Sequence, residues 1–233
     1  MKNFDVTATN GYEMNIGKFI SEGVDLFKKD IGGFIVATLL LFFISLIPFL
    51  GVMALGNFYK ICRKVDEGQK VQAGDIFDFT DFVTYLKLFL LLFVILFIIM
   101  IPIQLSLLPI LFAASASDGQ LSDTGAALFA GGMGIWFLLV IVLLFVVSIS
   151  MYFVQPLISL YRISSVREAF SISWKLARRN FFMIFLFTIV VGIISQLGAI
   201  VCGIGLLFTI PLGICIKYAS FKNILGSSNQ KTV

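Results

Sequence analysis

Long apolar stretches alternate with short polar segments along this chain. Four blocks contain no Asp, Glu, Lys or Arg, and they cover residues 31–59, 88–117, 124–161 and 180–216. A helix needs about 20 apolar residues to cross a bilayer, so each block is long enough for at least one crossing. The pattern therefore predicts an all-α fold, and in particular a polytopic membrane protein.

The positions of Lys and Arg predict which ends of the blocks face the cytoplasm, because bases in short loops are retained on that side. The segment 118–123 contains two acids and no base, so we expect it outside. The basic segments 60–87 and 162–179 are then inside. Both termini also carry lysines, and they reach the same side only if the first and last blocks enter the membrane and return.

Six membrane helical segments follow from this orientation, as two hairpins flanking a central pair, with both termini cytoplasmic. We expect a single integral membrane domain over 13–225, with flexible tails at 1–12 and 226–233. The first block is short for two crossings, so residues 31–59 form either two short spans or a re-entrant hairpin. The segments are expected near 31–47, 50–65, 84–112, 130–158, 180–200 and 204–224.

Three segments ahead of membrane blocks combine helical periodicity with interspersed charges, as amphipathic helices do. They are expected at the cytoplasmic lipid interface, packed on the protein's own cytoplasmic face, or both. The first and third resemble each other at a spacing of 150 residues, which suggests two related helix-plus-hairpin units. The apolar stripes are Ile16, Ile20, Val24, Phe27 and Ile31; Phe79, Phe82, Val83, Leu86 and Phe89; and Ile163, Val166, Phe170, Trp174, Ala177 and Phe181.

Composition agrees with a lipid environment and narrows the chemistry. The 233 residues are 59% hydrophobic and 13% charged, with a net charge of +4 and a mean hydropathy of +1.04, whereas soluble domains are about 25% charged. With no His there is no His base or His-ligated metal, and three widely spaced Cys argue against a disulfide framework. We therefore expect a non-enzyme with no catalytic residues, no metal, no cofactor and no nucleic-acid partner.

Candidate binding residues remain, each with a simpler structural role beside it. Lys175, Arg178 and Arg179 can contact lipid headgroup phosphates, or can serve membrane orientation alone. Asp75, Asp78 and Asp81 can bind a divalent cation, although their spacing is not that of a calcium loop and helix capping is the ordinary role. Polar residues inside the blocks can line a cavity or hydrogen-bond between helices; they include Gln104, Ser148, Gln155 and Gln196.

Four short motifs carry a resemblance to known proteins. They are Gly56-Asn57-Phe58-Tyr59-Lys60, Asp75-Ile76-Phe77-Asp78-Phe79, Glu168-Ala169-Phe170-Ser171-Ile172-Ser173-Trp174 and Gly203-Ile204-Gly205-Leu206-Leu207-Phe208-Thr209-Ile210-Pro211. Through these motifs the chain resembles the YciC-like bacterial integral membrane proteins and the membrane domain attached to glycerophosphodiester phosphodiesterases. The resemblance extends from about residue 20 to 225. The resemblance implies a six-helix cytoplasmic-membrane module with no assigned catalytic residues. The sequence contains no phosphodiesterase segment, so that activity is not expected.

The expected function is that of a non-catalytic, multi-pass protein of the bacterial inner membrane. Its expected partners are membrane lipids, together with a membrane protein partner or another copy of the chain. The alternative is a small transporter or channel for a small or amphiphilic solute. A water-accessible cavity lined by the polar residues would favour the alternative, whereas a core packed with Phe and Leu would count against it.

Overall fold

The computed structural model describes residues 13–116, 123–200 and 203–230, and side chains within them except at 102–133, 135, 200 and 227–230. All regular structure in these ranges is helical, which confirms the all-α prediction. The predicted N-terminal tail, 1–12, and nearly all of the predicted outer loop, 118–123, lie outside the described residues.

Nine α-helices occupy the described ranges, with short 3₁₀ helices at Ala73–Phe77, Arg178–Asn180 and Leu197–Ile200. They are α1 (Ile16–Lys29), α2 (Ile31–Ile44), α3 (Pro48–Asp66), α4 (Phe82–Ala116), α5 (Asp123–Ser150), α6 (Val154–Tyr161), α7 (Val166–Ala177), α8 (Phe181–Gln196) and α9 (Leu206–Gln230).

Three helical stretches in the described ranges are long and apolar enough to cross a membrane, by length and composition. They are Phe82–Ile101, Trp136–Tyr161 and Val166–Ala199, and α2 is a shorter apolar helix. These stretches support a membrane protein. Most residues of each of the six predicted segments are helical, but six crossings do not follow from length and composition.

Two local features differ from the sequence expectations. The segment predicted at 130–158 is interrupted at 151–153, between α5 and α6. The second predicted amphipathic helix starts later than expected: Phe79 lies in an irregular stretch that follows a 3₁₀ helix, and regular helix begins at Phe82. There the Asp78 side chain accepts a hydrogen bond from the Thr80 amide (2.9 Å), a local turn that competes with helix formation.

The helices divide into two compact units. Unit 2 comprises residues 88–148, which hold most of α4 and α5, and unit 1 comprises the described residues before and after it. In unit 2 large apolar side chains are widely exposed, for example Phe97 (60%) and Leu138 (63%). Water would not tolerate so continuous an apolar surface, whereas lipid acyl chains would cover it.

The core of unit 1 is built around α3 and an aromatic cluster. The Phe221 ring lies 5.3 Å from that of Tyr59, 4.9 Å from Tyr152 and 5.9 Å from Phe153, measured between centroids. The Tyr152 hydroxyl lies 2.6 Å from the Ser220 hydroxyl, so its polar end has a partner inside the core. These residues join α3, α9 and the α5–α6 break in one packed interior.

Two glycine contacts bring helices of unit 1 unusually close. A methyl group on Gly23 would lie 2.5 Å from the Ile216 Cα, so α1 and α9 pack with backbones almost touching. A methyl group on Gly205 would lie 2.6 Å from the Gly198 carbonyl oxygen, at the turn that joins α8 to α9. At both places the absence of a side chain permits the approach.

The buried residues of α1 and α7 lie mostly on a line beside the apolar stripe expected from the sequence. In α1 the buried side chains are Phe19, Leu26 and Phe27, together with Gly23, whereas Ile16, Ile20 and Val24 are only half-buried. In α7 the buried side chains are Ala169, Ile172, Ser173, Leu176 and Ala177, whereas Phe170 and Trp174 remain exposed. Each helix thus has one apolar line packed on protein and a second that is not.

Candidate functional site

Helix α7 is held in place by its small, buried side. Ser165 caps its N-terminus by accepting a hydrogen bond from the Glu168 amide (3.4 Å). Ser173, fully buried, donates to the Ser150 carbonyl (2.5 Å) and accepts from the Phe153 amide (3.1 Å). One hydroxyl therefore satisfies backbone groups on both sides of the α5–α6 break and ties α7 to it.

The opposite side of α7 carries aromatic and basic side chains together. Phe170 and Trp174 lie one helical turn apart and are each 37% exposed. The bases on this side are all exposed, and together with the two aromatics we call them the basic-aromatic face: Arg167, Phe170, Trp174, Lys175, Arg178 and Arg179. Aromatic rings beside bases are typical of helices at the boundary between headgroups and acyl chains.

Bases on α3, by contrast, are neutralised by acids of the segment that follows. The Lys60 Nζ lies 2.8 Å from an Asp78 oxygen and 2.6 Å from an Asp81 oxygen, the second contact being an ion pair without hydrogen-bond geometry. The Lys64 Nζ lies 2.5 Å from Asp75. The three regularly spaced aspartates are thus partners for two lysines.

The Asp78 carboxyl group shows the effect of this pairing on acidity. Partial burial raises its pKa, but hydrogen bonds from Lys60 and Thr80 lower it more, and the result is about 2 compared with an ordinary 3.8. The group is therefore ionised throughout the physiological pH range.

A second ion-pair centre lies at the end of α3. The Asp66 carboxylate forms ion pairs with the Lys222 Nζ (2.7 Å) and the Lys29 Nζ (3.6 Å). One carboxylate thus joins α1, α3 and α9. Against this background the basic-aromatic face is different, because Lys175 and Arg178 make no ion pair with any residue in the described ranges.

Two of the motifs that carry the family resemblance meet in space. The Asn57 amide nitrogen donates to the carbonyls of Ile76 (3.0 Å) and Asp78 (2.8 Å), and the Asn57 side chain is fully buried. With the Lys60–Asp78 ion pair, these bonds fasten the segment after α3 onto the helix. Their role is structural, since both motifs are used to hold the chain together.

The polar residues predicted to line a cavity are distributed over both units. Ser148 is exposed in unit 2, and Gln196 is exposed at the end of α8 in unit 1. Gln155, half-buried in α6, uses its backbone carbonyl to accept from Tyr85 (3.3 Å) and Ser159 (2.8 Å). The side chain of Gln104 lies outside the described residues.

Where side chains are described, no three Cys, Asp or Glu side chains are grouped so that they could hold a metal ion. Cys62 and Cys215 are fully buried, with sulfur atoms 3.9 Å apart, as free thiols in the contact between α3 and α9.

Sequence reasoning missed three residues that organise this region: Ser173, Asn57 and Gly23. Asn57 is a lone amide in an apolar block, which could have predicted a buried polar contact. Gly23 lies within a predicted amphipathic helix, which could have predicted a close approach of another helix. Ser173 carried none, because its partners lie 20 and 23 residues away in sequence.

Comparison with known proteins identifies the family without an activity. No curated protein and no solved structure matches the chain. The comparisons give no support for the YciC-like resemblance or for an association with phosphodiesterases. A family model matches residues 39–204 of the 233, which is most of the chain and runs from within α2 to the turn before α9. The chain therefore belongs to the family described as Protein of unknown function (DUF4013).

Proposed function

We propose that this protein is a non-catalytic membrane protein that binds anionic lipid headgroups through the basic-aromatic face of α7. The observation that carries the proposal is the contrast in charge pairing. Lysines on α3 have carboxylate partners at 2.5–2.8 Å, whereas Lys175 and Arg178 are exposed and unpaired within the described ranges. Unpaired bases beside exposed aromatic rings are suited to lipid phosphates.

The proposal also includes the number and orientation of the membrane segments expected from the sequence. Six membrane helical segments, in two hairpins and a central pair, leave all bases and both termini on the cytoplasmic side of a bacterial inner membrane. The basic-aromatic face then lies at the inner leaflet, where anionic lipids supply phosphates. The resemblance to YciC-like proteins agrees with such a module and adds no activity to it.

Neutralising the bases tests the proposal. Each base near an anionic surface contributes about 1 kcal/mol, so replacing Lys175, Arg178 and Arg179 together by Gln should weaken anionic-lipid association roughly a hundredfold. Native mass spectrometry of the detergent-extracted protein would count retained phosphatidylglycerol, and reconstituted protein would give the preference over phosphatidylcholine.

A matched control removes equal charge elsewhere. Lys18, Lys28 and Lys70 are exposed bases away from α7, and replacing these three by Gln should leave the lipid preference almost unchanged. Equal losses in both triple variants would mean that only net charge matters. Retention of anionic lipid by the α7 variant would refute the headgroup site.

The alternative, a small transporter or channel, gains no specific support. Its candidate lining residues Ser148 and Gln196 are exposed, and the interior of unit 1 around Phe221 is filled by aromatic rings. A membrane protein partner, including another copy of the chain, remains a further proposed ligand for the exposed apolar surfaces.

A further inference from the structure

We propose that the α2–α3 and α8–α9 hairpins are both re-entrant: they enter the bilayer from the charged side and turn back within the hydrocarbon, so their ligand is the acyl-chain layer of one leaflet. This inference rests on the membrane embedding in the proposed function, and it does not depend on headgroup binding by α7.

The first observation is the character of the two turns. At the α2–α3 turn Leu46 is 73% exposed, and in the last turn of α2 Phe42 is 68% exposed. At the α8–α9 turn Ile204 is 68% exposed and Leu197 51% exposed. Turns that reach water on the far side of a membrane are normally polar, whereas these two present large apolar side chains at their tips.

The second observation is the distance from each tip to the nearest polar layer. On α3, Asn57 hydrogen-bonds the charged segment that follows the helix, so it marks the polar layer. The distance from the tip at Pro48 to Asn57 is ten residues, or about 15 Å of helix. On α9, Ile216 contacts α1, whose Lys18, Asp25 and Lys28 are each more than half exposed. Leu206 to Cys215 is again ten residues, about 15 Å.

The other arm of each hairpin agrees. On α8, Phe187 makes a ring contact with Phe19 of α1 (5.8 Å), and Phe187 to Gln196 is also ten residues. Helix α2 is capped by Asp30, whose carboxylate accepts a hydrogen bond from the Val71 amide of the polar segment (2.9 Å). The 14 residues of α2 span about 21 Å. The hydrocarbon layer is about 30 Å thick, so neither hairpin crosses it with its charged residues outside.

The two possible placements can be compared directly. If the tips reached the far interface, the Lys60–Asp78–Asp81 ion pairs and the charges of α1 would lie near the bilayer centre, where charge is most costly. If the charged layer lies at the near interface, the tips lie near the centre and their exposed Leu, Ile and Phe side chains contact acyl chains. The second placement puts no charged side chain in the hydrocarbon.

Several polar groups near the two tips have internal hydrogen-bond partners, which favours that placement, although the exposed Gln196 side chain at the end of α8 has no such partner among the described residues. The amides of Ser45, Leu46 and Ile47 each donate to a carbonyl of α2 at 2.9–3.3 Å, and the Ser45 hydroxyl donates to Leu41 (2.7 Å). At the other tip the Thr209 hydroxyl donates to the Ser195 carbonyl (2.8 Å). Internal bonding of this kind allows a turn to lie where water is absent.

Depth measurement with a fluorescent probe tests the inference. Leu46→Cys and Ile204→Cys, each with Cys202→Ser so that the remaining native thiols are buried, would be labelled with bimane in detergent and reconstituted. Vesicles would contain phosphatidylcholine brominated either near the headgroup or deep in the acyl chain. We expect the deep bromines to quench both probes more strongly, and Gln69→Cys, in the exposed polar segment, to be quenched by neither.

The contrary results are distinct. Stronger quenching by shallow bromines at either tip would overturn the proposal for that hairpin, as would reaction of unlabelled Leu46→Cys or Ile204→Cys with an impermeant maleimide added outside intact cells. If one variant does not fold, Ile47→Cys replaces Leu46→Cys and Phe208→Cys replaces Ile204→Cys, since both are exposed near the same tips. Loss of headgroup preference in the α7 variant is a separate readout that these probes do not affect.

Discussion

Single polar side chains stabilise the points where several helices of unit 1 break or join. Ser173 satisfies an amide and a carbonyl at the α5–α6 break, and Asn57 and Asp78 fasten the segment after α3. Ser173 and Asn57 are fully buried, so water cannot replace either group as a hydrogen-bond partner.

Ser173→Ala should destabilise the protein by about 1–3 kcal/mol, since it leaves the Phe153 amide without the hydroxyl that accepts from it. Thermal unfolding in detergent, followed by circular dichroism, would measure the change. Ser171→Ala on the exposed side of the same helix is the control and should shift stability by less than about 0.5 kcal/mol. Equal effects of the two substitutions would contradict the proposed importance of the Ser173 hydrogen bonds.

The Asp78 carboxylate should make stability depend on acidity at low pH. Because its pKa is about 2 in the folded protein and 3.8 ordinarily, its contribution is fully present above about pH 4 and is lost as pH falls toward 2. Asp78→Asn should therefore be less stable than the wild type at pH 7, with the difference shrinking below pH 4.

Unfolding midpoints of both proteins across pH 2–7 would show this convergence. Asp25→Asn, which alters a mostly exposed carboxylate on α1, is the control and should change the midpoint little at any pH. A difference between Asp78→Asn and the wild type that stays constant down to pH 2 would contradict the assignment.

At the scale of elements, the apolar blocks predict where helices form but not which line of each helix is buried. Helix α2 begins at Ile31 because Asp30 caps it with a hydrogen bond to the Gly33 amide, a signal present in the local sequence. The buried line of α1 instead includes Gly23, because close approach to Ile216 favours the side without a side chain over the more hydrophobic neighbouring stripe. The α5–α6 break likewise depends on a distant hydroxyl.

Gly23→Ala should weaken the α1–α9 contact. The added methyl group would meet the Ile216 backbone at 2.5 Å, which must move, and we expect a loss of about 1–3 kcal/mol in unfolding free energy with earlier protease cleavage in α1. Gly17→Ala, on the same helix with its nearest neighbour atom at 3.7 Å, is the matched control and should be neutral or slightly stabilising. A neutral Gly23→Ala would disprove the close packing.

At the scale of the whole molecule, the blocks and the positions of Lys and Arg lead to the expected orientation, because the positive-inside rule acts on short loops whatever their fold. The hairpin depth that we propose could not be inferred in this way. It rests on which residues of α3 and α9 contact polar segments, and those contacts are tertiary.

Orientation itself can be tested by labelling single cysteines in intact cells, with Cys202→Ser as background. We expect Gln120→Cys, in the acidic segment between blocks two and three, to react with an impermeant maleimide added outside, because that segment has no base. Lys70→Cys should react only after the membrane is opened. Labelling of Lys70→Cys from outside would contradict the expected topology.

The contact between Gly23 and Ile216 also has a consequence for biogenesis. Gly23 of α1 packs against Ile216 of α9, and Phe19 of α1 packs against Phe187 of α8, so both positions lack these partners until the last two helices have been synthesised. Until then α1 exposes part of its apolar line, which a membrane surface can cover. Truncation before α9 should thus leave a chain that inserts but is degraded, because its earliest helix never completes its packing.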